Sequence, residues 1–272
     1  MAQKPAWVID KERGRRAAAA RTVWLFGLHA VRDALENPAR ERLRLIVTRN
    51  AADRLGPAIA AAGLAPEIAD ARRFPAPLDP GSVHQGAALE VAPLDWGGVE
   101  AACAGDGPLL LLDRVTDPHN VGAILRSAEV FGAQAVIAPA RHAAPETGAL
   151  AKAASGALER MPYLRVGNLG NTMEKLRDMG FALIGLDGEA EVTLATALGD
   201  PGVRRVALVL GAEGPGLRSR TRDLCDRLAR IPSAHKFASL NVSNAAAISL
   251  YAAAEAGREV RMEGGGPHGG AR

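Results

Sequence analysis

The chain has 272 residues, 48% hydrophobic and 23% charged, a globular composition with room for one large or two smaller domains. A formal charge of +3 is a mild hint of nucleic acid, while aromatics at 4% argue against a base-stacking platform for single strands as the main device. No apolar run approaches the length of a membrane span, and no apolar segment follows the basic N-terminus as a signal peptide would require. Cys103 and Cys225 match no metal spacing, so inert thiols in a reducing cytoplasm are expected.

Residues 1–20 hold Lys4, Lys11, Arg13, Arg15 and Arg16 against Asp10 and Glu12, with no clear amphipathic period. They read either as a disordered basic arm that touches nucleic-acid phosphates or as a merely solvated terminus. Residues 21–95 read as a small α/β domain. Strands are expected at Val23–Gly27, Leu43–Thr48, Ala65–Ile68 and Ala87–Val91, with helices at His29–Glu36 and Arg54–Ala62, the second closed by Gly63. Arg40, Arg42, Arg44, Arg49, Arg72 and Arg73 are candidate nucleic-acid contacts, each with a solvated charge as its alternative. His29 and His84 are either polar contacts of the same kind or hydrogen-bonding residues that fix a turn. Residues 96–107 are rich in small side chains and read as a linker.

Residues 108–257 alternate strands with helices, which means a parallel sheet covered on both faces. Leu109–Leu112 is a buried strand, followed by a polar loop over Asp113–His119. Asn120 is placed to cap a helix over Val121–Phe131 whose apolar stripe is Val121, Ile124, Leu125 and Ala128. Arg126 lies off that stripe, free either to enter a cleft or to pair with Glu129 or Glu159. A strand at Ala135–Ala138, a helix near Pro145–Ser155, a strand at Tyr163–Val166, a helix over Leu169–Met179 and a strand at Phe181–Leu186 follow. Residues 258–272, with EGGGPHGGAR, read as a flexible tail.

The stretch 205–251 organises this domain. A buried strand, Arg205–Leu210, runs into a glycine loop, Gly211–Gly216, and a short polar helix. A second strand, Leu228–Ile231, leads to Ser239-Leu240-Asn241 and a small-residue helix. A ligand is expected beyond the carboxyl ends of such strands. The common nucleotide loops do not fit: Glu213 breaks GxGxxG, and Leu217-Arg218 stands where a phosphate loop needs Lys-Ser/Thr. Glu213 would repel phosphate but tolerate a cationic or uncharged ligand.

Three segments in order, LLDRVTDPHNVGAILRSAEVF (Leu111–Phe131), LVLGAEGPGL (Leu208–Leu217) and Ile231–Tyr251 around SLNVS, resemble the SpoU (TrmH-like) class of RNA ribose 2′-O-methyltransferases in the SPOUT superfamily. GLHAVRDAL (Gly27–Leu35) and His84-Gln85-Gly86 extend the likeness into the N-terminal domain, so that it covers roughly 22–256 and is closest to the branch acting on a guanosine of 23S rRNA. The resemblance implies an α/β fold: a C-terminal SPOUT domain with a parallel sheet and deep trefoil knot, and a small N-terminal domain similar to the ribosomal protein L30e. It implies S-adenosylmethionine as cofactor without a metal, a homodimer, and 23S rRNA or a ribosomal precursor particle as partner, with neither DNA nor membrane.

By motif position Asn120, Arg126, Glu213, Ser239 and Asn241 are the implied catalytic residues, and Gly211, Ile231 and Leu240 the implied cofactor contacts. Capping of the last helix is the alternative for Ser239 and Asn241, and plain core packing for Ile231 and Leu240. The family's proposals make Arg126 a base; a guanidinium that clamps phosphate and stabilises a developing alkoxide is easier to defend. A tRNA substrate, or an RNA-binding assembly factor without catalysis, are the alternative functions. Alanines 245–247 and 252–254 would allow close packing of the last helix on a second subunit.

Overall fold

Two sheets organise the chain, and each follows from the pattern of its strands. The computed structural model describes residues 22–79, 81–234 and 240–264, with side chains to 258. The basic arm 1–20, Ser239 and residues 265–272 lie outside the described residues. The chain divides into two compact units, one running to Asp95 and including Glu146–Glu159, the other comprising Trp96–Pro145 and the chain from Arg160.

In the first unit β1 (Val23–Phe26), β2 (Arg42–Val47), β3 (Pro66–Ile68) and β4 (Ala87–Val91) form a sheet in the order β1-β4-β2-β3. β4 pairs antiparallel with β1 and β2, and β3 adds in parallel to β2. Helix α1 (Leu28–Glu36) buries Leu28, Ala30, Val31, Ala34 and Leu35, the helical spacing of one apolar face. Helix α2 (Arg49–Ala62) starts earlier than the apolar period suggests, because Thr48 accepts a hydrogen bond from Ala51 N and so caps it. Gly63 closes it in the left-handed region, φ 63°.

The first unit also takes in a segment from the far side of the sequence. Helix α5 (Gly148–Ala154) and the 3-10 turn Ala157–Glu159 pack with it, where the sequence places a helix of the second domain. A Cβ added at Gly148 would lie 2.3 Å from the Trp24 carbonyl oxygen, so only glycine permits this approach to β1. Arg40, 1% exposed, holds the segment from the other side. Its Nε and Nη2 donate to Glu159 Oε2 and Oε1 at 2.9 and 2.7 Å. Its Nη1 donates to Glu146 Oε1 at 2.9 Å and to the Ala92 carbonyl at 2.8 Å. Asn37 Nδ2 adds a bond to Glu159 Oε2 at 3.0 Å. The expectation that Arg40 contacts nucleic acid is therefore corrected: a buried guanidinium with its donors engaged is structural.

The second unit is built on six parallel strands in the order β10-β8-β9-β5-β6-β7. These are β5 (Leu109–Asp113), β6 (Ala135–Pro139), β7 (Tyr163–Val166), β8 (Phe181–Leu186), β9 (Arg205–Gly211) and β10 (Arg227–Ala229). β5, β6 and the interior of β9 are buried throughout, as continuous apolar runs of a doubly covered sheet should be. Helices α3 (Val99–Ala102), α4 (Pro118–Val130), α6 (Leu169–Asp178), α7 (Leu194–Leu198), α8 (Ser219–Asp223) and α9 (Val242–Gly264) complete it. Leu169, Met173 and Leu176 of α6 pack on Leu109, Leu111, Ile137, Phe181, Leu183 and Val209.

Three details differ from the sequence reading. The stretch expected to be a linker contains α3, and its Trp96, Val99, Ala102 and Cys103 pack against this core. α4 begins at Pro118 and is capped by Asp117, whose side chain accepts from His119 N; Asn120 sits inside its first turn rather than at its cap. α9 continues through 258–264, part of the stretch read as a flexible tail.

Strand order positions the site. From β5 the chain moves outward to β6 and β7, then returns to β8 and β9 on the other side of β5. Neighbours β5 and β9 thus mark a switch point, and the crevice at their carboxyl ends is where such sheets bind ligands.

Candidate active site

β5 and β9 end side by side, with Asp113 opposite Gly211. Asp113 is fully buried, and a buried carboxylate must be paired. Arg218 supplies the partner: its backbone N donates to Oδ2 at 3.1 Å, and its Nε and Nη2 each reach Oδ1 at 2.7 Å. The far end of the glycine loop is thereby fastened to the end of β5. Within the loop, Gly216 N donates to the Ala212 carbonyl at 2.9 Å. A Cβ at Gly211 would lie 2.1 Å from the carbonyl carbon of Gly216, so this glycine is required by backbone packed on backbone.

The loop so held presents Glu213, and three elements converge on its carboxylate. Asn120, from the first turn of α4, donates through Nδ2 to Glu213 Oε1 at 3.1 Å. Asn241, just before α9, donates to the same oxygen at 2.6 Å and to Asn120 Oδ1 at 3.0 Å. Val242 N, the first amide of α9, lies 3.4 Å from Glu213 Oε1. Asn241 Oδ1 accepts from Ser243 N at 2.9 Å and from Ser243 Oγ at 2.5 Å, so the residue caps α9 and joins the cluster at once. The capping reading of Asn241 holds.

Arg126 is exposed on α4, about 9 Å along the helix axis from Asn120. Its expected structural partners are engaged elsewhere: Glu129 pairs with Arg160 and Glu159 with Arg40. Among the described residues Arg126 has no ion-pair partner, so its guanidinium is available to an anion.

Ile231 is half-buried just beyond β10, and Leu240 is 47% exposed immediately before Asn241. Leu240, next to Asn241, is uncharged apolar surface at the edge of the Glu213 cluster. Glu213 adds the single negative charge that a sulfonium tolerates and a phosphate does not. The residues present therefore fit S-adenosylmethionine better than a triphosphate. Among the described residues no group of three His, Cys, Asp or Glu could hold a metal ion. Burial pushes the Cys103 thiol up to about 11 and the Cys225 thiol up to about 12, which makes neither a nucleophile.

Asp113 and Arg218 are the residues the sequence reading missed. The signal was an acidic residue closing a run of four leucines: a polar group at a buried strand end needs a partner.

Among the arginines of the first unit, Arg42 donates to the Leu35 carbonyl at 2.6 Å, and Arg44 makes a two-point pair with Glu67 at 2.7 and 2.8 Å. Arg49, Arg72 and Arg73 are exposed, with no ion-pair partner among the described residues. His84 takes its structural reading, since its Nδ1 accepts from Gly86 N at 3.1 Å and its ring stacks on Phe74 at 4.1 Å. His29 Nδ1 accepts from Arg32 Nη2 at 3.1 Å, a contact along its own helix.

The pattern of the SpoU rRNA Methylase family matches residues 108–251. The 23S rRNA (guanosine-2′-O-)-methyltransferase RlmB of Salmonella typhi is 40% identical over 238 residues, 84% of this chain and 96% of that protein. RlmB of Pseudomonas syringae pv. tomato is 45% identical over 178 residues, 63% of this chain and 70% of its own. The crystal structure of the SpoU methyltransferase AviRb from Streptomyces viridochromogenes, in complex with the cofactor AdoMet, superposes with a TM-score of 0.74 at 25% identity, covering 90% of this chain and 93% of that one.

Proposed function

The chain belongs to the SpoU rRNA Methylase family, and on that premise we propose that it transfers a methyl group from S-adenosylmethionine to the ribose 2′-hydroxyl of a guanosine in 23S rRNA. The observation that carries the reading is the Asn120–Glu213–Asn241 cluster at the carboxyl ends of β5 and β9, with the exposed Arg126 further along α4. It stands in a chain about 40% identical to RlmB proteins along nearly their whole length.

When bound, S-adenosylmethionine supplies a methyl group already activated by its sulfonium, so the protein's work is alignment and charge. Gly211, Ile231 and Leu240 would hold its adenosine moiety. Arginine stays protonated in proteins, so Arg126 acts as a cation: it clamps a phosphate beside the target ribose and stabilises negative charge growing on the 2′-oxygen. Glu213 fixes both asparagine amides and so holds the glycine loop, the start of α4 and the start of α9 together beside the ribose; Ser239, by motif position, belongs to the same set. The hydroxyl proton passes to solvent at this exposed face.

Several finer features rest on the family and on what supports them here. The family's deep trefoil knot belongs to this unit; its last helix, α9, packs against α4, α7 and β9. Residues 21–95 form the substrate-binding domain similar to L30e, and their mixed βαβα order suits it. A homodimer forms through the outer face of α9, where Ile248 and Tyr251 are exposed at 42% and 54% beside Val130 at 75%. Ala246 and Ala253 point inward, so they contribute to the unit's own core. Both cysteines are free, which suits the cytoplasm.

The reading is tested by methyl transfer from labelled S-adenosylmethionine to 23S rRNA and to bulk tRNA in parallel. Label in 23S rRNA alone is expected. Label in tRNA alone would move the substrate, and cofactor binding without transfer to 23S rRNA or precursor particles would make this a binding protein.

A further inference from the structure

Asp113 is fully buried at the end of β5, and the chemistry above does not use it. A buried carboxylate is unfavourable unless it is paired and hydrogen-bonded. Arg114, which directly follows, stands in the left-handed region at φ 64°, a strained conformation for a residue with a side chain. Features of this kind persist where the surrounding structure demands them. The Asp113–Arg218 pair joins the roots of two loops whose tips meet in the cluster. Asp113 opens the loop to α4, whose first turn carries Asn120, and Arg218 ends the loop that carries Glu213. At the tips Asn120 donates to Glu213 at 3.1 Å; at the roots Arg218 Nε and Nη2 reach Asp113 Oδ1 at 2.7 Å.

Between root and tip, the glycine loop has little else to fix its place. Glu213, Gly214 and Pro215 are exposed, and Gly214 and Gly216 stand at φ 81° and 68° with nothing within 4 Å of an added Cβ. The bond from Gly216 N to the Ala212 carbonyl closes the loop on itself without attaching it to β5. Leu217 packs against the core, but an apolar contact sets no direction. A guanidinium and a backbone N on the same carboxylate do set one.

We propose that Asp113 and Arg218 are positioning residues for methyl transfer: their pair seats the glycine loop, and through it sets where Glu213 holds the Asn120 and Asn241 amides. The inference rests on the methyltransferase reading and deepens it, because in-line transfer depends on alignment and this pair supplies it through Glu213.

Arg218→Lys tests this. It keeps the positive charge, so Asp113 is not left a bare buried ion, but it loses the planar fork that fixes direction. A pair needed for charge balance alone would accept it. The positioning role predicts a fall in kcat of at least about tenfold, with the KM for RNA unchanged and melting near that of wild type. Arg227→Lys makes the same exchange in an ion pair of similar exposure with Asp200, ahead of β9, and should stay within about twofold of wild type. The decisive measurement is a double-mutant cycle with Glu213→Ala. If Arg218 acts through Glu213, adding Arg218→Lys to Glu213→Ala should lower kcat by no more than about twofold further. Losses that multiply would overturn the proposal, as would an Arg218→Lys kcat within about twofold of wild type. Hydrogen exchange reads the same geometry without turnover. In Arg218→Lys, exchange should quicken over 212–217 and, through the cluster, over 120–124 and 242–246, while β6 and β7 keep their protection. A change confined to 212–217, or one spread over the whole unit, would overturn the positioning role. If wild type transferred no methyl, the activity reading would fall, and the exchange pattern would still decide whether the pair seats the cluster.

Discussion

Glu213 gathers two asparagine amides onto one oxygen, and that concentration of donors is what makes the cluster rigid. Arg126 stands outside it with no partner among the described residues, so removing it should leave the cluster and the cofactor surface intact. Arg126→Ala is expected to lower kcat for methyl transfer by about 10²–10³-fold, the usual effect of losing one preorganised charge on a developing oxyanion. S-adenosylmethionine affinity by calorimetry should not change; parallel loss of both would make Arg126 a structural residue. The cysteines give a pH-dependent prediction of opposite character. Burial raises both folded values, to about 11 and about 12, so the folded protein holds these protons more tightly than the unfolded chain does. Their contribution to stability is complete below the unfolded value of about 8.5 and is lost as pH rises through the folded ones. Urea midpoints should fall above about pH 9, and a Cys103→Ala/Cys225→Ala variant should show a shallower fall. An equal slope in both proteins would remove the thiols from the account.

Elements legible in the sequence were those whose own pattern decided them. β5, β6 and β9 read as unbroken apolar runs, and the buried stripe of α4 followed from Val121, Ile124, Leu125 and Ala128. Asn120, Glu213 and Asn241 were reachable only through motif resemblance, because nothing local says that residues 93 and 121 positions apart in sequence will meet. Asp117-Pro118 falls in the stretch that reads as a polar loop, although an Asp cap before a proline is also how a helix begins. α7 was missed because Leu194–Leu198 is too short to show a period; only its Thr193 cap marks it. The largest departure is Glu146–Glu159, whose place is set by Arg40, more than a hundred residues earlier. Removing that guanidinium leaves Glu159, 6% exposed, without its cation and with only the Asn37 amide bonded to its carboxylate. Arg40→Ala should therefore cost about 3–5 kcal/mol in urea unfolding of the full chain, whereas an exposed pair such as Arg44–Glu67 should cost under about 1 kcal/mol when broken. A near-zero loss at Arg40 would show that the segment is held by packing alone.

At the scale of the molecule, a small mixed sheet and a parallel sheet carrying the candidate site share one chain, and the loop after β6 contributes to both units. Association of two chains is a property separate from that site. Ile248→Glu/Tyr251→Glu places charge on the exposed apolar face of α9 without touching its buried face of Val242, Ala246, Leu250 and Ala253. Sedimentation should then shift from the mass of two chains to that of one with unchanged helix content, and a wild-type protein already sedimenting as one chain would rule the dimer out.

The central claim is that the methyl group lands on a ribose oxygen of a guanosine. The most direct test digests 23S rRNA, treated with the protein and S-adenosylmethionine, to nucleosides and identifies the labelled product by mass spectrometry. The account predicts 2′-O-methylguanosine as the sole new methylated nucleoside, with the added mass on the ribose fragment. A methyl group on the base fragment, or on the ribose of a different nucleoside, would contradict it.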